Sequence, residues 1–190
     1  MNANNPQLDL AIEKLIECYK NGGKLLVCGN GGSAADSGHI TGEFVKGFLK
    51  KRPLCPELVE KIGYEWASTL QQGLPCIDLT INAGANSATA NDISGESVYA
   101  QAVTAYGREG DIIIGISTSG NAENVSRALV VAHALGMKTI GMTGATGGRM
   151  AGIVDVLLNV PETETYKIQE LHLPLYHQIC ARVEANLFEK

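Results

Sequence analysis

Residues 25–43 read LLVCGNGGSAADSGHITGE, the most informative segment of the chain. Its first four residues are apolar and predict a short buried strand, and the glycines that follow predict a tight turn. Ser33 is followed three residues later by Asp36, which has the form of a capping box, so we predict that a helix begins at Ser33. A strand, a glycine turn and a helix N-terminus in this order form an anion site, most often for phosphate.

Two titratable residues follow on the same predicted helix. His39 and Glu43 are four residues apart, so they share a face about one turn beyond the predicted anion site. They could be a metal pair, an acid–base pair or a solvated helix face, and their spacing leaves these three interpretations open. Together with the anion site, they indicate chemistry on a phosphorylated small molecule.

Composition and missing motifs exclude several classes of partner. The chain has 190 residues, which suits a single domain over residues 1–190, and its net charge of −5 disfavours nucleic acid. No GxxxxGK[ST] pattern occurs, and the GxGxxA match lacks the acidic partner of a dinucleotide site. The sequence shows no signal peptide and no apolar run of about 18 residues. The five cysteines are scattered without a CxxC, so we expect a cytoplasmic protein with reduced thiols. Because no long apolar run occurs, we expect no membrane partner.

Apolar segments alternate with amphipathic ones along the rest of the chain. Further strands are predicted at residues 76–81, 111–116, 138–142 and 154–160. Further helices are predicted at residues 6–20, 93–106, 122–135 and from 166 to the C-terminus. This alternation predicts an α/β fold, a three-layer sandwich in which helices flank a parallel sheet. We interpret residues 53–73 as an inserted helical segment and residues 82–92 as a loop of small residues.

A second informative turn, Ser-Thr-Ser-Gly-Asn, follows the strand predicted at residues 111–116. The hydroxyls of Ser117, Thr118 and Ser119 lie just before a predicted helix, where they add side-chain donors to free N–H groups. A Ser/Thr-rich helix cap is the structural alternative. Ligands of open α/β sheets bind at the C-terminal ends of the strands, so one turn can hold a phosphate and the other the body of the substrate.

The last predicted helix carries three further candidates, Gln169, His172 and His177. Gln169 and His177 are eight residues apart, which separates them by ~12 Å along a helix axis. A single ion could reach both only if their side chains converge or if Pro174 bends the helix. Spacing alone therefore does not predict zinc.

In combination, these pieces resemble the sugar isomerase (SIS) domain and, within it, the phosphoheptose (sedoheptulose 7-phosphate) isomerases. The matching pieces are CGNGGSAAD with His39 and Glu43, Asn91-Asp92, GREGDIIIGISTSGNAENV, MTGATGGRMAG and IQELHLPLYHQI. The resemblance implies a five-stranded parallel sheet and a homotetramer with sites between subunits. It also implies an aldose–ketose isomerase that converts sedoheptulose 7-phosphate to D-glycero-D-manno-heptose 7-phosphate through an enediol.

The resemblance further assigns roles to individual residues. The residues that would line the sugar phosphate are Asn30, Gly31, Gly32 and Ser33, and those that would hold its phosphate are Ser117, Thr118 and Ser119. Asn91 and Asp92 would contact the sugar hydroxyls, and Glu43 and Gln169 would also touch the substrate. One Zn²⁺ per subunit would be bound by His39, Glu43, Gln169 and His177. Glu43 and His177 would also form the acid–base pair.

Three departures from the family pattern bear on the substrate. Residues 53–73 are longer than in the typical member, Lys46-Gly47 replaces the usual Gly-Arg, and Ala122 stands where a phosphate-binding serine is common. One alternative is an isomerase of a different sugar phosphate. Another is a non-catalytic SIS protein that binds a replication initiator or senses a sugar phosphate, but a pure binding module has no need of a base.

Overall fold

The computed structural model describes residues 5–188 of the chain. Its strands are β1 (Leu25–Gly29), β2 (Cys76–Asp78), β3 (Ile112–Ile116), β4 (Lys138–Thr143) and β5 (Val156–Asn159). They form one five-stranded sheet in the order β2-β1-β3-β4-β5, and every neighbouring pair is parallel. The predicted α/β architecture and the number of strands are therefore confirmed.

Helices cover both faces of this sheet. They are α1 (Pro6–Lys20), α2 (Gly32–Val45), α3 (Pro56–Ile62), α4 (Tyr64–Ala67), α5 (Ala83–Thr89), α6 (Val98–Tyr106), α7 (Glu123–Ala134) and α8 (Thr165–Phe188). A π-helical turn spans Ala90–Ser94, and 3₁₀ turns span Gly95–Ser97 and Gly148–Gly152. The buried side chains of α1, α2 and α8 form one core with the sheet, and those of α6 and α7 form the other.

The environment of the central strand β3 explains why polar and apolar residues do not alternate in its sequence. Ile112, Ile114 and Ile116 pack into the core beneath α1, α2 and α8, and Ile113 packs into the opposite core. Both faces of the strand are covered, so apolar residues occupy both, as is usual in parallel sheets. Gly115 leaves room for α7, because a Cβ there would lie 2.8 Å from the side chain of Val125.

The predictions for residues 76–81 and 82–92 are wrong in part, and the helix predicted at residues 93–106 has its α-helical part at Val98–Tyr106. Strand β2 ends at Asp78 rather than at residue 81, because the Asp78 carboxylate accepts a hydrogen bond from the N–H of Thr80 at 2.8 Å, and this local turn leads the chain out of the sheet. Residues 82–92 are mostly helical rather than a loop. The side chain of Asn82 caps α5 by accepting from the N–H of Ala85, so the small residues that follow form a helix.

The last helix, α8, brings distant residues to one place in the fold. It runs for 24 residues and continues through Pro174. Buried residues along it pack in the same core as those of α1 and α2. Although α8 is long, no helix within residues 5–188 is both long and apolar enough to cross a bilayer.

Candidate active site

The two predicted turns lie side by side at one edge of the sheet. Strands β1 and β3 are neighbours, and Gly29 at the end of β1 is opposite Ile116 at the end of β3. The chain passes from β1 to β2 on one side while β3 and β4 extend on the other, and ligands of doubly wound sheets bind at such a reversal point. The side-chain amides of Asn30, in the glycine turn, and Asn124, at the start of the helix that follows the second turn, form two hydrogen bonds of 2.8 and 2.9 Å.

The glycine turn begins α2 without a side-chain cap. Gly31 has a φ of 56° and a ψ of −121°, a conformation open to glycine, and α2 begins at Gly32. The predicted capping box is wrong: Ser33 is buried within the first turn, and Asp36 accepts a hydrogen bond from the hydroxyl of Tyr176 at 3.2 Å. Within residues 5–188, the N–H groups of Gly31 and Gly32 donate to no backbone or side-chain acceptor. They are therefore available to an anion at the positive end of the helix.

The hydroxyls of the second turn have different environments. Ser117 is buried, and its Oγ accepts from the N–H of Ala122 at 3.4 Å, just before α7. Ser119 is exposed, and its Oγ accepts from the N–H of Asn121 at 3.2 Å. Thr118, between them, is half-buried. Thr118 and Ser119 are therefore the two hydroxyl groups of this turn that a ligand can reach directly.

Three of the predicted acid–base and metal residues form one cluster between α2 and α8. His39 Nε2 lies 3.3 Å from Glu43 Oε1 and 3.5 Å from His177 Nε2. The two imidazole rings meet edge to face, with centroids 5.1 Å apart. The His39 side chain is 41% exposed and the Glu43 side chain only 15%, so a ligand can reach the pair from solvent. The three interpretations of this pair stay predictions.

Three neighbours hold this cluster in place. Lys46 Nζ lies 2.5 Å from Glu43 Oε2, the Phe48 ring is 5.3 Å from the ring of His177, and the Tyr176 hydroxyl is 3.0 Å from His39 Nδ1. Phe48 and Tyr176 are not among the residues that the sequence predicted for the site. Lys46 is three residues after Glu43, a spacing that predicts contact on a helix. Tyr176 gives no such signal, because it directly precedes His177 and adjacent helical residues do not share a face.

His172, a candidate from its sequence alone, lies behind the site. It is fully buried, and its Nε2 is 3.2 Å from the carbonyl oxygen of Thr143. Burial lowers the pKa of His172 and raises the pKa of the neighbouring Asp36. His172 Nδ1 and Asp36 Oδ2 are both buried without a hydrogen-bond partner among the described residues.

The remaining predicted residues lie outside the cluster. The Gln169 side chain rests against the glycine turn, where a Cβ on Gly32 would come within 2.9 Å of Gln169 Cδ. Asn91 and Asp92 are exposed on the π-helical turn and hydrogen-bonded to each other at 2.7 Å. Within residues 5–188, no hydrogen bond links Gln169, Asn91 or Asp92 to His39, Glu43 or His177.

The donor atoms of the cluster suit zinc in type and partly in spacing. Zinc binds His nitrogen and carboxylate oxygen at about 2.0–2.2 Å, which places tetrahedral ligand atoms about 3.4 Å apart. The distances from His39 to Glu43 and to His177, 3.3 and 3.5 Å, match that value. In the part of the chain that the structure describes, however, no group of three or more His, Cys, Asp or Glu side chains is arranged so that it could hold a metal ion.

Comparison with known proteins identifies the family of the chain. The family model of the SIS domain matches residues 1–144, so the fold and its paired turns are those of a SIS-domain protein. The phosphoheptose isomerase of Roseiflexus sp. (strain RS-1) is 42% identical over 185 residues, which are 97% of this chain and 84% of that protein.

Two solved structures support the same assignment. The phosphoheptose isomerase from Neisseria gonorrhoeae matches with a TM-score of 0.79 and 36% identity, covering 94% of this chain and 85% of that one. The phosphoheptose isomerase from Francisella tularensis matches with a TM-score of 0.81 and 33% identity, covering 96% and 87%. The chain belongs to the phosphoheptose isomerase family and is an isomerase.

Proposed function

We propose that this protein interconverts sedoheptulose 7-phosphate and D-glycero-D-manno-heptose 7-phosphate. The observation that carries the proposal is the convergence of Glu43 and His177, from two helices, to within 3.5 Å of His39. The glycine turn that starts α2 supplies a phosphate site on the same helix. The phosphoheptose isomerases to which the chain is similar support the choice of substrate.

The reaction requires a base that takes a proton from the carbon beside the carbonyl and returns it to the neighbouring carbon. We assign this role to Glu43, acting through a cis-enediol, since its Oε2 is oriented by Lys46 and its Oε1 by His39. His177 moves protons on the sugar oxygens, including those of ring opening. A positioned acid or base typically contributes about 10²- to 10⁴-fold in rate.

The phosphate is held where two helix N-termini meet. The turn residues Asn30 to Ser33 line the sugar phosphate, and the free N–H groups of Gly31 and Gly32 face the anion. Thr118 and Ser119 add hydroxyl donors from the second turn, while Ser117 holds the backbone of that turn. Both helices present their positive ends, which favours the phosphate over uncharged sugars.

We also propose one Zn²⁺ per subunit, held by His39, Glu43 and His177 with Gln169. When bound, this ion would act as a Lewis acid on the oxygens of the reacting carbons. The two donor distances near 3.4 Å support the assignment. Mass spectrometry of native protein and titration of zinc into chelator-treated protein should both give one ion per subunit, and His39→Ala should abolish it. A wild type that binds no zinc would overturn the proposal.

Assembly and location complete the proposal. We expect a homotetramer with sites between subunits from the resemblance to the family, and exposed apolar side chains, Ile81 (74%), Ile93 (63%) and Tyr106 (41%), support contacts with other subunits. Ile81 and Tyr106 line a cavity of about 540 Å³ between β2, α5 and α6. Analytical ultracentrifugation should give four times the chain mass, and a monomer would contradict this.

All five cysteines are free thiols, which supports a cytoplasmic location. The net charge of −5 supports the proposal that the protein does not bind nucleic acid.

The deciding experiment is NMR of purified protein mixed with sedoheptulose 7-phosphate, with and without added zinc. The wild type should form the aldoheptose phosphate, and Glu43→Gln should lower turnover by at least about 100-fold. Glu13→Gln, which changes an exposed glutamate of α1, is the matched control and should leave turnover unchanged. Near-normal turnover by Glu43→Gln would refute the assigned base. Sugar-phosphate binding without product would point to another sugar phosphate or to a sensor.

A further inference from the structure

A buried ion pair lies directly behind the candidate active site. Arg52 follows α2 in the chain and Glu184 lies near the end of α8, and each side chain is only 1% exposed. Arg52 Nε donates to Glu184 Oε1 at 2.7 Å. Buried charges are costly unless they are fully hydrogen-bonded, and a buried pair adds little net stability. The hydrogen-bond partners of Arg52 and Glu184 therefore indicate the role of the pair.

Glu184 anchors the loop that follows α2. Its carboxylate accepts hydrogen bonds from three consecutive backbone N–H groups, those of Phe48 at 2.7 Å, Leu49 at 2.7 Å and Lys50 at 3.0 Å. Burial alone would raise the pKa of Glu184, but these N–H donors together with Arg52 hold the pKa below its usual range. The ionised carboxylate thus fixes the path of this loop.

Arg52 holds the end of α2 itself. Its Nη1 donates to the carbonyl oxygen of Phe44 at 2.7 Å, and its Nη2 donates to the carbonyl oxygen of Glu43 at 3.2 Å. Carbonyls in the last turn of a helix lack intrahelical partners, and a cation there also interacts favourably with the helix dipole. The backbone that carries the proposed base is therefore held by the guanidinium.

The same pair links both halves of the acid–base cluster. The anchored loop carries Phe48, whose ring packs on His177, and it follows Lys46, which pairs with Glu43. On α8, Glu184 is seven residues beyond His177, so the two residues lie on the same helix face about two turns apart. One buried contact thereby ties the backbone of Glu43 to the helix that carries His177.

We propose that Arg52 and Glu184 are positioning residues that set the placement of Glu43 relative to His177. They act without touching the substrate, and the inference rests on the proposed function. A guanidinium presents several donors in a fixed plane, so lysine at position 52 cannot bond Glu184 and both carbonyls together. The expected consequence is a loss of turnover rather than of binding.

The test compares Arg52→Lys with Arg182→Lys in steady-state kinetics on sedoheptulose 7-phosphate. Arg182 is on the same helix as Glu184, but it is half exposed and pairs at the surface with Asp9, so its lysine variant is the matched control. We expect Arg52→Lys to lower kcat by about 10- to 100-fold, with KM and the Kd for inorganic phosphate within about threefold of wild type. Arg182→Lys should match the wild type in all three quantities.

Glu184→Asp provides a second variant if Arg52→Lys does not fold. It keeps the charge but shortens the side chain by one methylene, so it should move the loop and lower kcat in the same way. Circular dichroism and the number of phosphate sites per chain give the folded fraction of each variant. A kcat that falls only in proportion to that fraction, or an unchanged kcat, would overturn the inference. A wild type without turnover would instead refute the proposed function.

Discussion

Gly32→Ala tests the role of Gln169 with little disturbance of the fold. A Cβ on Gly32 would lie 2.9 Å from Gln169 Cδ and 3.1 Å from its Oε1, with Nε2 closer still. Ordinary non-bonded contacts between heavy atoms are about 3.5–4.0 Å, so the Gln169 amide must move away by roughly 1 Å. The atoms that must move are the far end of a flexible side chain, so the backbone can stay in place.

The expected effect is large on activity and small on stability. Misplacing a substrate-positioning group by about 1 Å can cost about 100-fold in rate, so kcat/KM for sedoheptulose 7-phosphate should fall by about that factor. The free energy of unfolding in urea should change by less than about 1 kcal/mol, because alanine favours a helix over glycine by about 0.5–1 kcal/mol. Both quantities can be measured on the same preparation.

Gly42→Ala is the matched control for this experiment. Gly42 lies on the same helix, and a Cβ there would meet no atom within 4 Å. Its alanine variant should gain about 0.5–1 kcal/mol of stability and keep kcat/KM within about threefold of wild type. Wild-type activity in Gly32→Ala would refute the placement of Gln169 in the site. An equal loss in both variants would show that the effect belongs to the helix and not to Gln169.

Further expectations concern the two turns and the buried histidine. Gly120→Ala should lower the free energy of unfolding in urea by roughly 3 kcal/mol or more. Gly120 has a φ of 68°, and a Cβ there would collide with a backbone carbonyl. Wild-type stability of this variant would contradict the prediction. Asn124→Ala removes two of the hydrogen bonds of the Asn30 amide and leaves the one from the Tyr99 hydroxyl. The variant should raise KM about 10-fold with kcat within threefold, and an unchanged KM would count against a role for this link in substrate binding. Burial lowers the pKa of His172. Below about pH 6.5 the unfolded chain therefore binds a proton at this histidine that the folded chain does not bind. The free energy of unfolding consequently falls as the pH falls. The Tm of the wild type should therefore drop more between pH 7 and 5.5 than the Tm of His172→Gln. Equal drops in Tm for the two proteins would contradict this.

Much of the fold was predictable from local sequence patterns. A short apolar run, a glycine turn and an amphipathic segment specify a strand, a turn and a helix through nearest neighbours alone, and β1 with α2 follows this pattern. The errors came where a local pattern is satisfied in the sequence but another structure forms in the fold. Ser33 and Asp36 satisfy a capping pattern, but the helix begins at Gly32, and Asp36 bonds to a tyrosine of α8 instead. The residues after Asn82 have a loop-like composition but form a helix.

Residue spacing in the sequence specifies which side chains share a helix face, but which faces meet depends on how the helices pack. His39 and Glu43 are paired by their spacing, but His177 is 138 residues from His39 and joins them only because α8 packs on α2. Arg52 and Glu184 are 132 residues apart, and neither belongs to a motif. Hydrophobic periodicity reports burial and carries no information about the partner of a buried face. The acid–base cluster and the ion pair behind it are therefore products of helix packing.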